Sequence, residues 1–114
     1  MTTFDTRTGQ NVDIKHNLRD KFSMVITVTD QDSAAVDLSA KTLTMNIREK
    51  ESTTPIDTMT TTAGDIVVSG AGNNVLTFSK NLDLGEKIYY YELYNTTDEE
   101  NIMDGKFFAD YTGR

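Results

Sequence analysis

Residues 87–94 have the sequence Lys87-Ile88-Tyr89-Tyr90-Tyr91-Glu92-Leu93-Tyr94, and this aromatic segment decides the fold class. Aromatic and branched side chains pack well on a pleated, half-buried surface, so the segment is predicted to form a β-strand. Because side chains alternate across a strand, Tyr89, Tyr91 and Leu93 are expected to share one face. The opposite face carries four side chains, Ile88, Tyr90, Glu92 and Tyr94.

Two other segments alternate between apolar and polar residues, as half-buried strands of antiparallel sheets do. Residues 22–29 carry Phe22, Met24, Ile26 and Val28 at every second position, and residues 43–48 carry Leu43, Met45 and Ile47. Each strand therefore supplies a single apolar face. By the same argument, Tyr89, Tyr91 and Leu93 are predicted to lie in the core.

Weaker strand signals fill most of the remaining sequence. They lie at residues 11–16, 56–62, 66–68, 75–78 and 106–111. The second of these follows Pro55 and is expected at a sheet edge, where proline is tolerated. No segment shows the apolar period of a helix. Short strands separated by regular turn signals predict an all-β sandwich or barrel.

The length of 114 residues fits one domain. Residues 1–10 are polar apart from Phe4 and are expected to form a flexible N-terminal arm or an edge segment. Residues 11–114 are then a single β-sandwich domain. The first residues lack the basic start and apolar core of a signal peptide, so no cleaved signal is expected.

The charge balance excludes several classes of partner. Eighteen acidic residues against eleven basic ones give a formal net charge of -7. A binder of nucleic acid needs clustered Lys and Arg, and an anionic membrane would repel this chain. We therefore expect neither nucleic acid nor membrane as a partner. Docking onto a basic protein surface remains compatible with this charge.

The residue types needed for catalysis do not assemble in the sequence. There is no cysteine, and His16 is the only histidine. Asp30, Asp32 and Asp37 lack the glycine and terminal glutamate of an EF-hand calcium loop. The glycine-rich residues 69–74 precede a strand and not a helix, which argues against phosphate binding. We expect no enzyme activity, no metal and no cofactor.

Three stretches taken in order resemble a family of known proteins. They are residues 22–48, the aromatic strand at residues 88–93, and the segment Met103-Asp104-Gly105-Lys106-Phe107-Phe108. This order is similar to that of small immunoglobulin-like β-sandwich domains of tailed-phage virion proteins, including the N-terminal domain of upper baseplate proteins. The resemblance implies an immunoglobulin-like antiparallel sandwich of about seven to nine short strands.

The same resemblance implies a function. The chain would be a non-enzymatic structural protein of the virion, in the capsid decoration, neck, tail or baseplate. Its partners would be other virion proteins or copies of itself as a homo-oligomer, and its location would be the virion. The alternative is a module that binds carbohydrate or a host surface, with Tyr90 and Tyr94 stacking on sugar rings in place of the absent tryptophan.

A candidate protein interface follows from the strand faces. Tyr90, Tyr94 and Phe108 alternate with the expected core residues and should point outward. Such an aromatic face either binds a neighbouring protein or is covered by loops or by the N-terminal arm. Gly105 is expected at a bulge or a strand start where two backbone segments approach closely.

Overall fold

The computed structural model describes residues 2–7, 10–18, 21–30, 32–50, 52, 54–82 and 84–110, with side chains described from residue 11 onward. Within these residues the chain forms strands joined by turns and loops, and no helix occurs. The ten strands are β1 (Thr2–Arg7), β2 (Gln10–Asn11), β3 (Ile14–Asn17), β4 (Phe22–Thr29), β5 (Leu43–Arg48), β6 (Asp57–Thr60), β7 (Ile66–Ser69), β8 (Val75–Lys80), β9 (Lys87–Asn95) and β10 (Glu100–Asp110).

The strands form two sheets. Sheet one has the order β1-β4-β8-β7, and sheet two has the order β2-β10-β9-β5-β6, with β3 also paired to β10. An immunoglobulin sandwich places its first, second, fifth and fourth strands in one sheet and its third, sixth and seventh in the other. When β1 to β3 are taken as the divided first strand and β6 as an added strand, the observed order is the same. The predicted immunoglobulin-like all-β sandwich is confirmed.

The strongest sequence patterns form the core. Along β4, β5 and β9 every second side chain is buried, which places Tyr89, Tyr91 and Leu93 inside as predicted. Phe78 and Phe107 are also fully buried. The two inner faces thus form one hydrophobic core. Burial of the aromatic and branched side chains, at roughly 25 cal/mol per Å² of apolar surface, is the main stabilising contribution.

The N-terminal pairing differs from the antiparallel ladder around it. Strand β1 runs parallel to β4, and both β2 and β3 run parallel to β10. Residues 2–7 therefore take the form of an edge segment beside β4, while the flexibility expected for residues 1–10 stays a prediction, as does the division into arm and domain. The expected single strand at residues 11–16 is divided into β2 and β3, and β1 is added, so the eight expected strands become ten within the described residues.

The last strand is longer than expected at its beginning. The expected strand begins at residue 106, but β10 begins at Glu100, and β9 extends to Asn95, which pairs with Glu100. A register shift between Asn101 and Met103 then brings Ile102 and Met103 both into the buried set. Tyr111, the last residue of the strand expected at residues 106–111, lies outside the described residues.

A tyrosine corner lies at the start of strand β9. The Tyr89 hydroxyl accepts a hydrogen bond from the Gly85 backbone N–H at 3.0 Å and donates one to the Gly85 carbonyl at 3.2 Å. Immunoglobulin-like domains carry such a tyrosine near the start of the sixth strand, bonded to backbone a few residues upstream. The hydroxyl at this corner satisfies two backbone groups and fixes the entry of the chain into β9.

Gly105 lies where the N-terminal strand is interrupted. The predicted close approach is confirmed: a Cβ built on Gly105 would lie 2.3 Å from the Val12 carbonyl oxygen, and the φ of Gly105 is 152°. Gly105 is inside β10 and not at a strand start. The Asp13 carboxylate accepts a hydrogen bond from the Lys106 backbone N–H at 3.1 Å. A side-chain oxygen thus takes the place of a backbone carbonyl as the partner of this strand amide.

Candidate protein-interaction face

The outer face of sheet two lies on the side of β10, β9 and β5 turned away from the core. Its side chains are half-buried or exposed, and no other layer of the described chain packs over them. The members at the centre of this outer face are Ile88, Tyr90, Glu92 and Tyr94 of β9, Asp104, Lys106 and Phe108 of β10, and Thr44, Asn46 and Arg48 of β5.

Tyr90 lies in the middle strand of this face with a cation on each side. It is opposite Lys106 of β10 and opposite Arg48 of β5. Residues directly opposite in adjacent antiparallel strands have Cβ atoms about 5 Å apart, so the three side chains are neighbours. Tyr90 is only half-buried. Tyr90 therefore lies between two strand positions that carry long basic side chains, and part of its surface is open to solvent.

Phe108 lies beside Ile88 on the same face. The two residues are directly opposite each other in β10 and β9, and Ile88 is 52% exposed. Phe108 is diagonal to Tyr90, a relationship that separates residues by roughly 7 Å, within reach of aromatic side chains. The structure thus brings Ile88, Tyr90 and Phe108 together as one apolar cluster, which we call the aromatic cluster.

Tyr94 shares the outer face but lies apart from the aromatic cluster. It is opposite Thr44 and Asn101, and it lies four positions along β9 from Tyr90, or roughly 13 Å. Of the three residues predicted to form an interface, the structure therefore groups Tyr90 with Phe108 and places Tyr94 in polar surroundings. An interface role for these residues is not tested by the geometry and stays a prediction.

A shallow cleft opens between Tyr90 and the interrupted N-terminal strand. It has a volume of about 400 Å³, and its lining includes Asn11, Asp13, Asp104 and Lys106. Asp104 accepts a hydrogen bond from the Asn11 side-chain amide at 3.0 Å, while Asp13 is bonded to the Lys106 backbone. Sequence reasoning missed this cleft because it depends on the parallel pairing of β2 and β3 with β10.

The Tyr91 side chain crosses the inner side of this region. Its hydroxyl donates a hydrogen bond to the Val12 carbonyl oxygen, across the position where Gly105 has no side chain. Burial, with smaller contributions from the Asp104 and Asp13 carboxylates, raises the pKa of Tyr91 well above its usual range. The phenol is therefore a neutral donor that connects β9 to the N-terminal strand.

His16 and Asp30, two residues that the sequence offered as candidates for chemistry, stabilise the fold locally. His16 is 9% exposed, and its ring packs against the rings of Phe22 and Phe107. Asp30 accepts backbone hydrogen bonds from Asp32 and Ala34, so it stabilises its own turn. No group of three His, Cys, Asp or Glu residues that could hold a metal occurs in the described part of the chain.

Asp37 has a similar local role. Its carboxylate accepts hydrogen bonds from the Ser39 hydroxyl at 2.7 Å and from the Ser39 backbone N–H at 2.9 Å. These bonds, with a smaller attraction from Lys41, lower the pKa of Asp37.

Among the residues with described placement, none forms a helix long and apolar enough to cross a membrane.

The fold recurs in solved structures, although sequence comparison finds no relative. No protein-family model matches the sequence, and no curated protein matches it either. Fifteen chains in solved structures match. One is the N-terminal domain of phage TP901-1 ORF48, which covers 96% of this chain and 99% of its own with a TM-score of 0.56 and 12% identity. At that identity the likeness establishes a shared fold.

Proposed function

We propose that this chain is a non-enzymatic structural protein of a phage virion, acting through protein–protein contacts in the capsid decoration, neck, tail or baseplate. The observation that carries the proposal is the aromatic cluster on the outer face of sheet two. Ile88 is 52% exposed, and Tyr90 and Phe108 beside it are partly open to solvent. Protein interfaces are enriched in aromatic residues at their centres, and contiguous apolar patches commonly mark interaction sites.

The fold supports the same proposal. The sequence resembles immunoglobulin-like domains of tailed-phage virion proteins, and a solved phage domain, the N-terminal domain of ORF48, has the same fold over almost all of both chains. A fold alone does not determine function, because one fold carries many functions. The proposal therefore depends on the exposed aromatic cluster together with the phage source of that domain.

Mass spectrometry of purified phage particles tests the proposal. The chain should be present in a constant ratio to the major capsid protein after gradient purification. A chain that is abundant in the infected cell but absent from particles, while the other virion proteins are detected, would contradict the proposal. If the chain is present, its copy number per particle would indicate the symmetry of its site in capsid, neck, tail or baseplate.

A pair of variants tests whether the outer face makes the contact. Tyr90→Ser combined with Tyr94→Ser should lower incorporation into particles, because the phenol rings are removed from the outer face while the core stays intact. Val67→Ser is the control, since it also removes an apolar surface side chain, but Val67, which is 52% exposed, lies in β7 at the edge of the other sheet. Equal incorporation of both variants and of the unmodified chain would reject this face as the contact.

The cleft beside Tyr90 favours one alternative function. A half-exposed tyrosine ring next to Asn11, Asp104 and Lys106 offers both a stacking surface and polar partners for sugar hydroxyl groups. The alternative is therefore a carbohydrate- or host-surface-binding module. A glycan array distinguishes the two: reproducible binding that is lost in Tyr90→Ser supports the module, and an array without binding supports the structural role.

A further inference from the structure

We infer that the outer face of sheet two binds a protein segment that presents an Asp or Glu side chain next to an apolar one. This inference rests on the proposed function and specifies the chemistry of the partner. The carboxylate would lie over Tyr90, between Lys106 and Arg48, and the apolar residue would lie on Ile88 and Phe108.

The two cations have the right spacing for a single carboxylate. Lys106 and Arg48 belong to the strands on either side of β9 and are both opposite Tyr90. Neighbouring strands lie about 4.8 Å apart, so the two Cα atoms are separated by roughly 10 Å. Both side chains are long enough to converge on one group above the tyrosine ring. The arginine can bind a carboxylate through two parallel hydrogen bonds.

These two cations have no acidic partner in the described part of the chain. Other basic side chains do, with Lys41–Asp98 at 3.1 Å, Lys80–Asp57 at 2.8 Å and Lys87–Glu49 at 3.2 Å. In a chain with eighteen acidic and eleven basic residues, these two cations without an ion-pair partner stand on either side of one half-buried aromatic residue. Charge complementarity at such a site selects an acidic partner.

The acidic residues near Tyr90 determine the side from which an acidic protein segment can reach the outer face. Asp104 lies two positions before Lys106 on the same face of β10, diagonal to Tyr90, and Asp13 lies beyond Lys106 in the interrupted N-terminal strand. Each of these carboxylates already accepts a hydrogen bond. Glu92 follows Tyr90 on the same face of β9 and would repel a carboxylate from that side. The open side is therefore the one with Ile88, Phe108 and Lys15, the residue opposite Phe108 in β3. An acidic group with an apolar neighbour fits this arrangement.

The net charge of the chain disfavours a second copy as the occupant. At a formal charge of -7, two copies repel each other at long range before any local contact forms. The repulsion is weaker for a short segment that carries only one or two acidic groups and reaches the outer face from a neighbouring protein.

Titration of the purified domain with short capped peptides tests the inference. The probes are N-acetyl-Glu-Phe-Glu-amide and its isostere N-acetyl-Gln-Phe-Gln-amide, followed through backbone amide signals in NMR. The acidic peptide should shift the signals of Tyr90, Lys106 and Arg48, and should bind at least fivefold more tightly than the isostere. Equal affinity for both peptides, or no shift at these residues, would overturn the inference.

Charge reversal separates the site from the overall charge. Lys106→Glu combined with Arg48→Glu should abolish the preference for the acidic peptide and lower incorporation into particles about tenfold. Lys21→Glu is the single-charge control for Lys106→Glu, because Lys21 is also exposed but lies just before β4. Equal losses of peptide preference and of incorporation in Lys106→Glu and in Lys21→Glu would overturn the inference, since a general effect of the net charge would then explain both losses.

Two further outcomes identify a different occupant. Concentration-dependent dimerisation in sedimentation, lost in Arg48→Glu, would assign the face to a second copy and overturn the acidic partner. Glycan binding lost in the same variant would overturn it in favour of a carbohydrate. If the chain is absent from particles, the proposed function fails, and the peptide titration still decides the inference separately.

Discussion

Tyr91 and Gly105 are directly opposite each other in β9 and β10, and the tyrosine hydroxyl reaches over the glycine to the Val12 carbonyl. A side chain at position 105 would block the approach of the N-terminal strand, because its Cβ would lie 2.3 Å from the Val12 oxygen. The two residues thus depend on each other: the missing side chain of one makes room for the contact of the other.

Gly105→Ala should be strongly destabilising. The added methyl meets a backbone oxygen, which cannot rotate away, and the φ of 152° is one that L side chains rarely adopt. We expect a loss of about 3 kcal/mol or more in the free energy of unfolding. Urea denaturation measures the loss. Gly64→Ala is the control, because its φ is 84° but nothing lies within 4 Å, and about 1 kcal/mol is expected.

Tyr91→Phe should cost about 1–2 kcal/mol, since the variant removes the only hydroxyl that we find bonded to the Val12 carbonyl among the described residues while keeping the buried ring. Tyr94→Phe, on the outer face, should stay within about 0.5 kcal/mol of the unmodified chain. Thermal or urea unfolding compares the two. Equal stability of both variants would show that the Tyr91 hydroxyl contributes nothing to the attachment of the N-terminal strand.

The raised pKa of Tyr91 predicts a loss of stability at alkaline pH. In the unfolded chain the phenol ionises near pH 10, whereas in the folded chain it keeps its proton to higher pH. The unfolded state therefore binds fewer protons than the folded state above about pH 10, and the free energy of unfolding falls as pH rises. The contribution is fully present below that pH.

The difference between the unmodified chain and Tyr91→Phe isolates this effect. Their stability difference should be constant below about pH 10 and should shrink above it, when measured by urea denaturation at each pH. Absorbance at 295 nm should also show one fewer late-titrating phenol in the variant. A stability difference that stays constant through the alkaline range would contradict the buried neutral phenol.

Tyr89→Phe tests the tyrosine corner. The variant leaves the Gly85 N–H and carbonyl without their side-chain partner, and a loss of about 1–2 kcal/mol is expected. Tyr90→Phe is the neighbouring control on the opposite face of the strand, with an expected change within about 0.5 kcal/mol. Hydrogen exchange at Gly85 should accelerate in Tyr89→Phe alone, because only that variant removes the acceptor of this amide.

The parts of the fold predicted from sequence are those set by local alternation. Phe22 to Val28, Leu43 to Ile47 and Tyr89 to Leu93 each carry a two-residue apolar period, and each is buried as expected. The tyrosine corner was also readable in principle, as a tyrosine four positions after Gly85 at the start of a strand. It was missed because no period marks a single side-chain hydrogen bond.

The remaining features depend on pairing between distant segments, which no local pattern records. Alternation predicts that Tyr90 and Phe108 point outward, but the placement of Lys106 and Arg48 beside Tyr90 requires the register of three strands. The parallel pairing of β2 and β3 with β10 is equally invisible, because short polar strands carry little register information. The cleft at Tyr90 and the division of the first strand follow from that pairing.

The pairing of Ile14 with Phe107 also determines when the protein can finish folding. A ribosome releases the chain from its N-terminus, so Ile14 leaves the exit tunnel long before its partner strand has been synthesised. Contacts between residues so far apart in sequence form late and slowly. During synthesis the first strand stays unpaired from β10, and its apolar residues stay exposed, until β10 has been made. Folding of this domain can therefore be completed only after residues near 107 have emerged from the ribosome.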